Sequence, residues 1–293
     1  MYDTKFAEKY SLYFCIHFAG RWKTPGRWKT PGVPPSKKAT NRGPFPGSDQ
    51  NDLTFVAEQV SHHPPVSAFY AEHPSKRISF TAHIWTKSSF LGLSIGVTNI
   101  GWGTVKLHSF DEEYVLTFPN GYGRSIMSTP WIELGGKVTV NCIKTGYSAE
   151  IDFLTKPFFG GKPHRISGNI YRSGFKKPIL TIKGEWNGVM TAKPLNGEEY
   201  IFVDVKRYPE VKKLSLQECE PVAKQGERES RRLWRHVTVA LKRNNIQVAT
   251  SAKRWIEQRQ RDEAKKRQEE GVVYHPLLFV RDGEGWKYKD ELR

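Results

Sequence analysis

Nine segments between residues 52 and 206 alternate apolar and polar residues with a period of two, or are rich in β-branched and aromatic residues. The segments are LTFVAEQV, RISFTAHIW, GTVKLHSF, EYVLTF, KVTVNCI, SAEIDFL, HRISGNIY, ILTIKGEW and EEYIFVDV. Such patterns are typical of β-strands, and the sequences between them, such as PNGYG and PLNGE, are typical of turns. Strands joined by short turns pair antiparallel, and so long a sheet curls or closes upon itself. The fold class predicted is therefore mainly β (α+β), built on one large antiparallel sheet.

The spacing of apolar residues changes after Pro209, from the period of two typical of strands to the spacing typical of helices. Residues 230–244 and 246–271 have helical patterning, and the second stretch ends at Gly271, a residue that commonly terminates helices. The sequence FVRDGEGWKY at 279–288 predicts a short hairpin with an Asp–Gly turn. The chain is thus predicted to comprise a β core over 52–208 and a basic helical segment with a terminal hairpin over 209–293.

Residues 1–51 differ in character from the rest of the chain. The hexapeptide RWKTPG occurs twice in tandem, at 21–26 and 27–32, and is followed by a stretch rich in proline and glycine. Sequences of this kind are typical of loops or disorder. We therefore expect a divergent and partly disordered amino-terminal segment.

The positive charge of the chain is unevenly distributed. The net charge is +16, but residues 51–205 carry 15 basic and 13 acidic side chains, whereas residues 206–270 carry 18 and 10. A basic region beside a nearly neutral core indicates an anionic partner, such as a phosphate group, a nucleic acid or a membrane surface. A nucleic-acid-binding protein that uses the basic helix is one alternative, although no RNP-type or zinc-knuckle motif accompanies it.

Cysteine usage and hydropathy narrow the class of protein further. Cys15, Cys142 and Cys219 are widely spaced and odd in number, which predicts neither a disulfide framework nor a zinc site and fits a reducing, cytoplasmic location. No apolar run approaches the length of about 20 residues that a membrane-spanning helix needs. No metal ion or cofactor is expected.

Two adjacent histidines stand out in EQVSHHPP at 58–65. Adjacent side chains on a strand point to opposite faces, so His62 and His63 are poorly placed to share one metal ion. No HExxH, GxSxG or Cys/His signature accompanies them, which argues against catalysis. Pro64 and Pro65 restrict the backbone directly after the pair and hold its direction. The residues alone leave two interpretations open: donors for an anionic ligand, or ordinary polar residues at a strand end.

A second constellation lies on the long predicted helix. Lys253, Glu257 and Arg261 are spaced i, i+4, i+8 and therefore follow one helix face. Ladders of alternating charge are common on solvent-exposed helices, so the spacing alone does not establish a binding site.

Taken together, the two constellations resemble a known family. EQVSHHPP is similar to the fingerprint of the oxysterol-binding protein-related family, and the resemblance continues over 52–293. The subgroup that contains the family's members nine, ten and eleven is the most similar. The motifs that carry the resemblance are SAFYAE, AHIWTKSSFLGLSIGV, YVLTFPNGYGRSI, PWIELGG, TGYSAEIDFLTKPFFGG, KGEWNGVM and RRLWRHVT.

The resemblance implies a fold, a ligand and roles for the candidate residues. The fold would be a large, incomplete antiparallel β-barrel with a lipid tunnel, and the ligand phosphatidylinositol 4-phosphate. His62 and His63 would donate hydrogen bonds to the 4-phosphate and Arg261 would pair with it. Lys253 would contact the inositol phosphate region, and Glu257 would accept hydrogen bonds from inositol hydroxyls. Beyond them, Lys265, Lys266 and Arg267 are expected to face an anionic membrane.

The resemblance also implies an activity and a location. The protein would be a lipid-transfer protein rather than an enzyme, exchanging this phosphoinositide for a second lipid, either phosphatidylserine or a sterol. It would be cytoplasmic and peripheral to organelle membranes, at contacts between the endoplasmic reticulum and the Golgi or endosomes, with dimerisation with a related family member. Binding of nucleic acid would not be expected.

The chain departs from the family pattern at its amino-terminal end. The lid and the strand with an Asn-Pro-x-x-Gly-Glu segment, both expected before the β core, are missing or replaced by residues 1–51. A transport-incompetent, truncated isoform that acts as an interaction module is therefore a further alternative.

Overall fold

The nine alternating segments supply nine of the twelve strands that form one antiparallel sheet within the described residues. The computed structural model describes residues 53–124, 129, 131–157, 160–207, 222–224 and 226–292, so the tandem RWKTPG repeat lies outside the described residues. The strands are β1 (Thr54–Gln59), β2 (Ser67–His73), β3 (Ile78–Phe90), β4 (Ile95–Leu107), β5 (Glu112–Thr117), β6 (Asn120–Arg124), β7 (Trp131–Cys142), β8 (Tyr147–Leu154), β9 (Arg165–Arg172), β10 (Leu180–Glu185), β11 (Val189–Pro194) and β12 (Tyr200–Asp204).

The strand order follows the chain from β1 to β12, except that β6 pairs with β4 and β7 beside this path. Every pairing between neighbouring strands is antiparallel, and within the described residues no pairing joins β1 to β12. The sheet is therefore not a closed barrel. The predicted fold class, a large and incomplete antiparallel β-structure followed by helices, is confirmed.

The best-packed part of the core lies where the carboxyl-terminal hairpin covers β1 and β2. This hairpin consists of β13 (Phe279–Asp282) and β14 (Gly285–Tyr288). The Tyr288 ring stacks on Tyr70 with centroids 4.8 Å apart, and both side chains are fully buried. The same cluster includes Val60 and Val66, the residues on either side of the His-His-Pro-Pro sequence. Burial of these two valines fixes both ends of that segment.

Among the described residues, three α-helices follow the sheet: α1 (Ser230–Leu233), α2 (Arg235–Lys242) and α3 (Ile246–Glu269). The single helix predicted for 230–244 is divided at Trp234, whose backbone ψ of 7° lies outside helical geometry and whose ring packs against the apolar contact between α2 and α3. Asn245 caps α3, since its side chain accepts a hydrogen bond from the Val248 N–H at 3.1 Å. Gly271 follows the helix end with a φ of 66°. Among the described residues, no helix is long and apolar enough to cross a membrane.

Candidate functional site

Residues 60–66 form the connection between β1 and β2, which we call the histidine loop. The Val60 N–H donates to Val66 O at 2.9 Å, and the Val66 N–H donates to Ser61 O at 3.1 Å. These bonds close the base of the loop, while the two buried valines attach it to the core. His62 and His63 lie beyond the closed base and are exposed, and the peptide bond between His63 and Pro64 is cis.

The two imidazoles lie side by side, with ring centroids 4.2 Å apart. Partial burial, the neighbouring His63 ring and the Arg261 guanidinium together lower the pKa of His62. The Arg261 guanidinium on α3 is therefore within electrostatic range of the His62 ring. The structure therefore brings together His62, His63 and Arg261, three of the residues that the sequence marks as candidates.

Lys253 lies about two turns before Arg261 on α3, and Glu257 lies about one turn before it. The Lys253 Nζ and a Glu257 carboxylate oxygen form an exposed ion pair. No hydrogen bond or ion pair joins either residue to the histidine loop within the described part of the chain. Arg261 itself is exposed and forms no ion pair with a described carboxylate, so its guanidinium is available to another anion.

The segment that follows α3 is hydrogen-bonded to β1, a contact that no sequence motif predicts. The Glu58 carboxylate accepts hydrogen bonds from the backbone N–H groups of Leu277 and Leu278, each at 2.7 Å. The Tyr274 hydroxyl donates to Gln59 O at 3.3 Å, and the Arg267 guanidinium lies 5.4 Å from the Tyr274 ring centroid. This segment holds the helix against the strand that leads into the histidine loop. Because these contacts join residues far apart in the chain, no local pattern could have revealed them.

The geometry indicates what this site can do chemically. Two neighbouring imidazoles lie within electrostatic range of a guanidinium, and groups of these kinds form strong charge-assisted bonds with phosphate. Within the described part of the chain, no group of three or more His, Cys, Asp or Glu side chains is placed to hold a metal ion. Donors of these types at the end of a sheet can bind an anion.

Comparison with known proteins identifies the family. The sequence profile described as Oxysterol-binding protein matches residues 45–240, which is more than half of the chain. The chain belongs to the oxysterol-binding protein family. This membership confirms the resemblance found in the sequence, and it confirms the prediction of a lipid-binding protein rather than an enzyme.

Several known proteins of the family are similar to this chain over most of the length of the chain. It is 55% identical over 252 residues to human oxysterol-binding protein-related protein 9, covering 86% of this chain and 34% of that protein. It is 46% identical to human oxysterol-binding protein-related protein 10, and the match covers 82% of this chain and 31% of that protein. It is 44% identical to human oxysterol-binding protein-related protein 11, and this match covers 92% of this chain and 37% of that protein. The chain thus spans about a third of the length of these relatives.

Solved structures share the fold of this family member. The Osh1 ORD domain in complex with cholesterol has a TM-score of 0.64 at 23% identity, over 82% of this chain and 64% of that chain. The Osh3 ORD in complex with PI(4)P, from Saccharomyces cerevisiae, has a TM-score of 0.57 at 22% identity. The match covers 80% of this chain and 64% of that chain. At these identities the likeness establishes the fold alone.

The three residues predicted to face a membrane are in different environments. Lys265 and Lys266 are exposed and pair with Glu269 and Glu270, at 3.7 and 3.8 Å. Exposed pairs of this kind are weak, so both ammonium groups remain free to approach an anionic surface. Arg267 is half-buried and stacks on Tyr274, which gives it a structural contact in addition to its predicted role.

Proposed function

We propose that this chain is a lipid-binding and lipid-transfer module that recognises phosphatidylinositol 4-phosphate. The observation that carries the proposal is the pair of adjacent imidazoles of His62 and His63 at one end of the sheet, with the Arg261 guanidinium within electrostatic range of His62. Support comes from the structural neighbour solved with PI(4)P and from family membership. The direct test is a vesicle sedimentation assay with and without this phosphoinositide, with RNA as the competing polyanion. Binding that RNA displaces at moderate salt would instead favour the nucleic-acid alternative.

In the proposed complex, His62 and His63 donate hydrogen bonds to the 4-phosphate and Arg261 pairs with the same group. Lys253 contacts the inositol phosphate region, and Glu257 accepts hydrogen bonds from inositol hydroxyls. The ion pair between Lys253 and Glu257 must then exchange partners. An exposed pair contributes only about 0.2–1 kcal/mol, so this exchange is a small part of the binding free energy.

The second lipid in the proposed exchange is phosphatidylserine or a sterol. The neighbouring Osh1 domain was solved with cholesterol and with ergosterol, which supports the sterol. The two candidates are distinguished by competition: vesicles that contain one or the other are titrated into a complex loaded with the phosphoinositide. The exchanged lipid is the one that releases the phosphoinositide in a saturable manner.

The proposed location is peripheral, at organelle membranes in the cytoplasm. It is supported by exposed apolar residues at the same end of the sheet as the histidine loop. Ser67 at the loop end of β2 pairs with Ile84, and β3 runs six residues further to Phe90. At about 3.3 Å per residue, the tip of the hairpin formed by β3 and β4 extends about 20 Å past the histidine loop. Phe90 and Leu93 at this tip are 72% and 69% exposed, as expected for residues that enter a lipid surface.

We expect the Lys265→Gln, Lys266→Gln double variant to bind anionic vesicles more weakly. Each basic residue near such a surface contributes about 1 kcal/mol, so the loss of two should lower partitioning about thirtyfold at low salt and much less at high salt. Sedimentation with phosphatidylserine vesicles measures the effect. The Lys176→Gln, Lys177→Gln variant removes the same charge at the opposite end of the sheet and should bind like the wild type. Equal losses in both variants would show a general charge effect rather than docking by α3.

Binding of the phosphoinositide should be accompanied by uptake of a proton near neutral pH. The pKa of His62 is lowered in the free protein, so its ring is neutral at pH 7. A phosphate dianion beside the ring favours the charged imidazole and raises this pKa. Affinity should therefore fall as the pH rises through the pKa of the bound state. Calorimetry at pH 7 in buffers of different ionisation enthalpy measures the uptake, which should disappear in His62→Asn. Uptake that is unchanged in this variant would assign the proton to another group.

A further inference from the structure

A cavity of about 780 Å³ opens at the ends of strands β8 to β11, away from the histidine loop along the sheet order. Leu154 ends β8, Arg165 begins β9, Glu185 ends β10 and Val189 begins β11, and all four line this cavity, which we call the basic pocket. Because successive strands on the path run antiparallel, these positions fall at the same end of the sheet as the histidine loop. The basic pocket and the candidate headgroup site therefore open in the same direction along the strands.

The strand register places two cations on one face of the sheet in this pocket. Arg165 pairs with Glu185 and Ser167 pairs with Lys183 between β9 and β10. Cross-strand partners share a face, as do residues two apart on a strand. Arg165 and Lys183 therefore project from the same side, with the Ser167 hydroxyl between them.

A third cation reaches the pocket from the segment after β12. The Val205 N–H donates to Gly188 O at 3.0 Å, which ties the turn at 205–207 to the connection between β10 and β11. Lys206 is thereby brought into the lining of the pocket. The site thus combines side chains from two strands and a turn.

The nearby carboxylates are already paired with other cations. Glu185 lies opposite Arg165 but forms its ion pair with Lys162, at 3.2 Å. Asp204 pairs with Arg207 at 3.1 Å. Within the described residues, no carboxylate pairs with Arg165, Lys183 or Lys206. The pocket consequently retains three positive charges without counterparts among those residues.

Arg165 also carries an unsatisfied donor. Its Nε atom is buried and has no hydrogen-bond acceptor among the described residues. A buried charged donor without an acceptor is unfavourable, because its hydration is lost and not replaced. Exposed lysines alone would be an ordinary surface feature, whereas here the half-buried guanidinium of Arg165 adds a charge whose hydration is already reduced.

We propose that the basic pocket is a second anion site, separate from the histidine loop, and that it binds a phosphate group. Guanidinium and ammonium groups in a concave site form strong bonds with phosphate oxygens, and Ser167 supplies a neutral donor beside them. The phosphate can belong to a lipid headgroup at the membrane to which this end of the sheet points, or to a soluble anion. Both sources present the same chemistry to Arg165, Lys183 and Lys206.

The test uses the His62→Ala, His63→Ala chain, so that the first site makes no contribution. Calorimetric titration with inorganic phosphate at low salt should show one saturable site. Arg165→Gln with Lys183→Gln should weaken this binding at least tenfold. Lys176→Gln with Lys177→Gln removes the same charge at the opposite end of the sheet and should leave it unchanged. Should the Arg165 variant fail to fold, Lys183→Gln with Lys206→Gln replaces two exposed side chains and should weaken binding in the same direction.

A parallel titration with phosphatidylcholine vesicles that contain phosphatidic acid distinguishes the sources of phosphate. If Arg165→Gln with Lys183→Gln lowers vesicle binding beyond the control variant, the pocket takes a lipid phosphate. If only the binding of inorganic phosphate falls, the ligand is soluble. The proposal is overturned if inorganic phosphate shows no saturable binding to the His62→Ala, His63→Ala chain. It is also overturned if phosphate binds the Arg165→Gln, Lys183→Gln variant as well as it binds the Lys176→Gln, Lys177→Gln control.

Discussion

Replacement of both His62 and His63 by alanine should abolish binding of phosphatidylinositol 4-phosphate while the fold stays intact. Both rings are exposed beyond the closed base of the loop, so their removal leaves no cavity in the core. A hydrogen bond to a charged group contributes about 1.5–3 kcal/mol, so the loss of two should lower affinity by a factor of about a hundred or more. Sedimentation with vesicles that contain this phosphoinositide measures the change.

The chain offers a matched control for this experiment. His73 lies at the opposite end of β2 from the loop, and His236 is exposed on α2. Their joint replacement by alanine removes two imidazoles without touching the site and should leave affinity unchanged. Wild-type affinity in the His62, His63 variant would refute the assignment of the loop. A collapsed circular-dichroism spectrum would show instead that the two histidines have a structural role.

Exchange of the charges of Lys253 and Glu257 should weaken binding about a hundredfold or more. The swap keeps the net charge and an i, i+4 pair, and glutamate before lysine is the more favourable order in a helix, so stability should not fall. In the proposed site, however, it places a carboxylate beside the inositol phosphate. Like charges about 4 Å apart near a protein surface repel by about 4 kcal/mol at an effective dielectric constant of about 20. Calorimetry with a short-chain, water-soluble form of the lipid measures this without a membrane.

The control for the swap is the same exchange further along α3, at Lys265 and Glu269, which also form an i, i+4 pair. It should leave affinity for the soluble lipid unchanged. Arg261→Lys is a finer probe, because an ammonium does not reproduce bidentate contact with phosphate although the charge is the same. Wild-type affinity in both the Lys253, Glu257 swap and Arg261→Lys would mean that these residues form only a solvated charge ladder.

Much of the fold was predictable from local patterns, and the omissions have physical reasons. Strand β6 (Asn120–Arg124) contains the sequence NGYG, which was interpreted as a turn because asparagine and glycine favour turns. It is a strand because β4 and β7 supply hydrogen-bond partners for it, as the pairing of Gly123 with both Ile95 and Ile132 shows. Strand β11 ends at Pro194, a residue that disfavours strands, and it is held by pairing with both β10 and β12. Pairing across the sheet overrides local preference at both positions.

The candidate site was predictable in its residue types but not in its arrangement. The loop sequence and the helix spacing each left a solvated, non-functional interpretation open, and only their combination resembled a family. The structure adds that Arg261 lies near His62, and that Glu58 and Tyr274 hold the segment after α3 against β1. These contacts join distant parts of the chain, so their existence depends on the three-dimensional path of residues 226–292. The basic pocket has the same origin, since the sheet register and the turn at 205–207 bring its cations together.

Native mass spectrometry of the wild-type chain tests recognition of the 4-phosphate most directly. The protein is incubated with vesicles that contain equal amounts of phosphatidylinositol and phosphatidylinositol 4-phosphate, recovered, and weighed with its bound lipid. We expect one lipid per chain, with the 4-phosphate form exceeding the unphosphorylated form at least tenfold, and no such excess in the His62→Ala, His63→Ala variant. Equal amounts of the two lipids on the wild-type chain, or no bound phosphoinositide at all, would contradict the assignment.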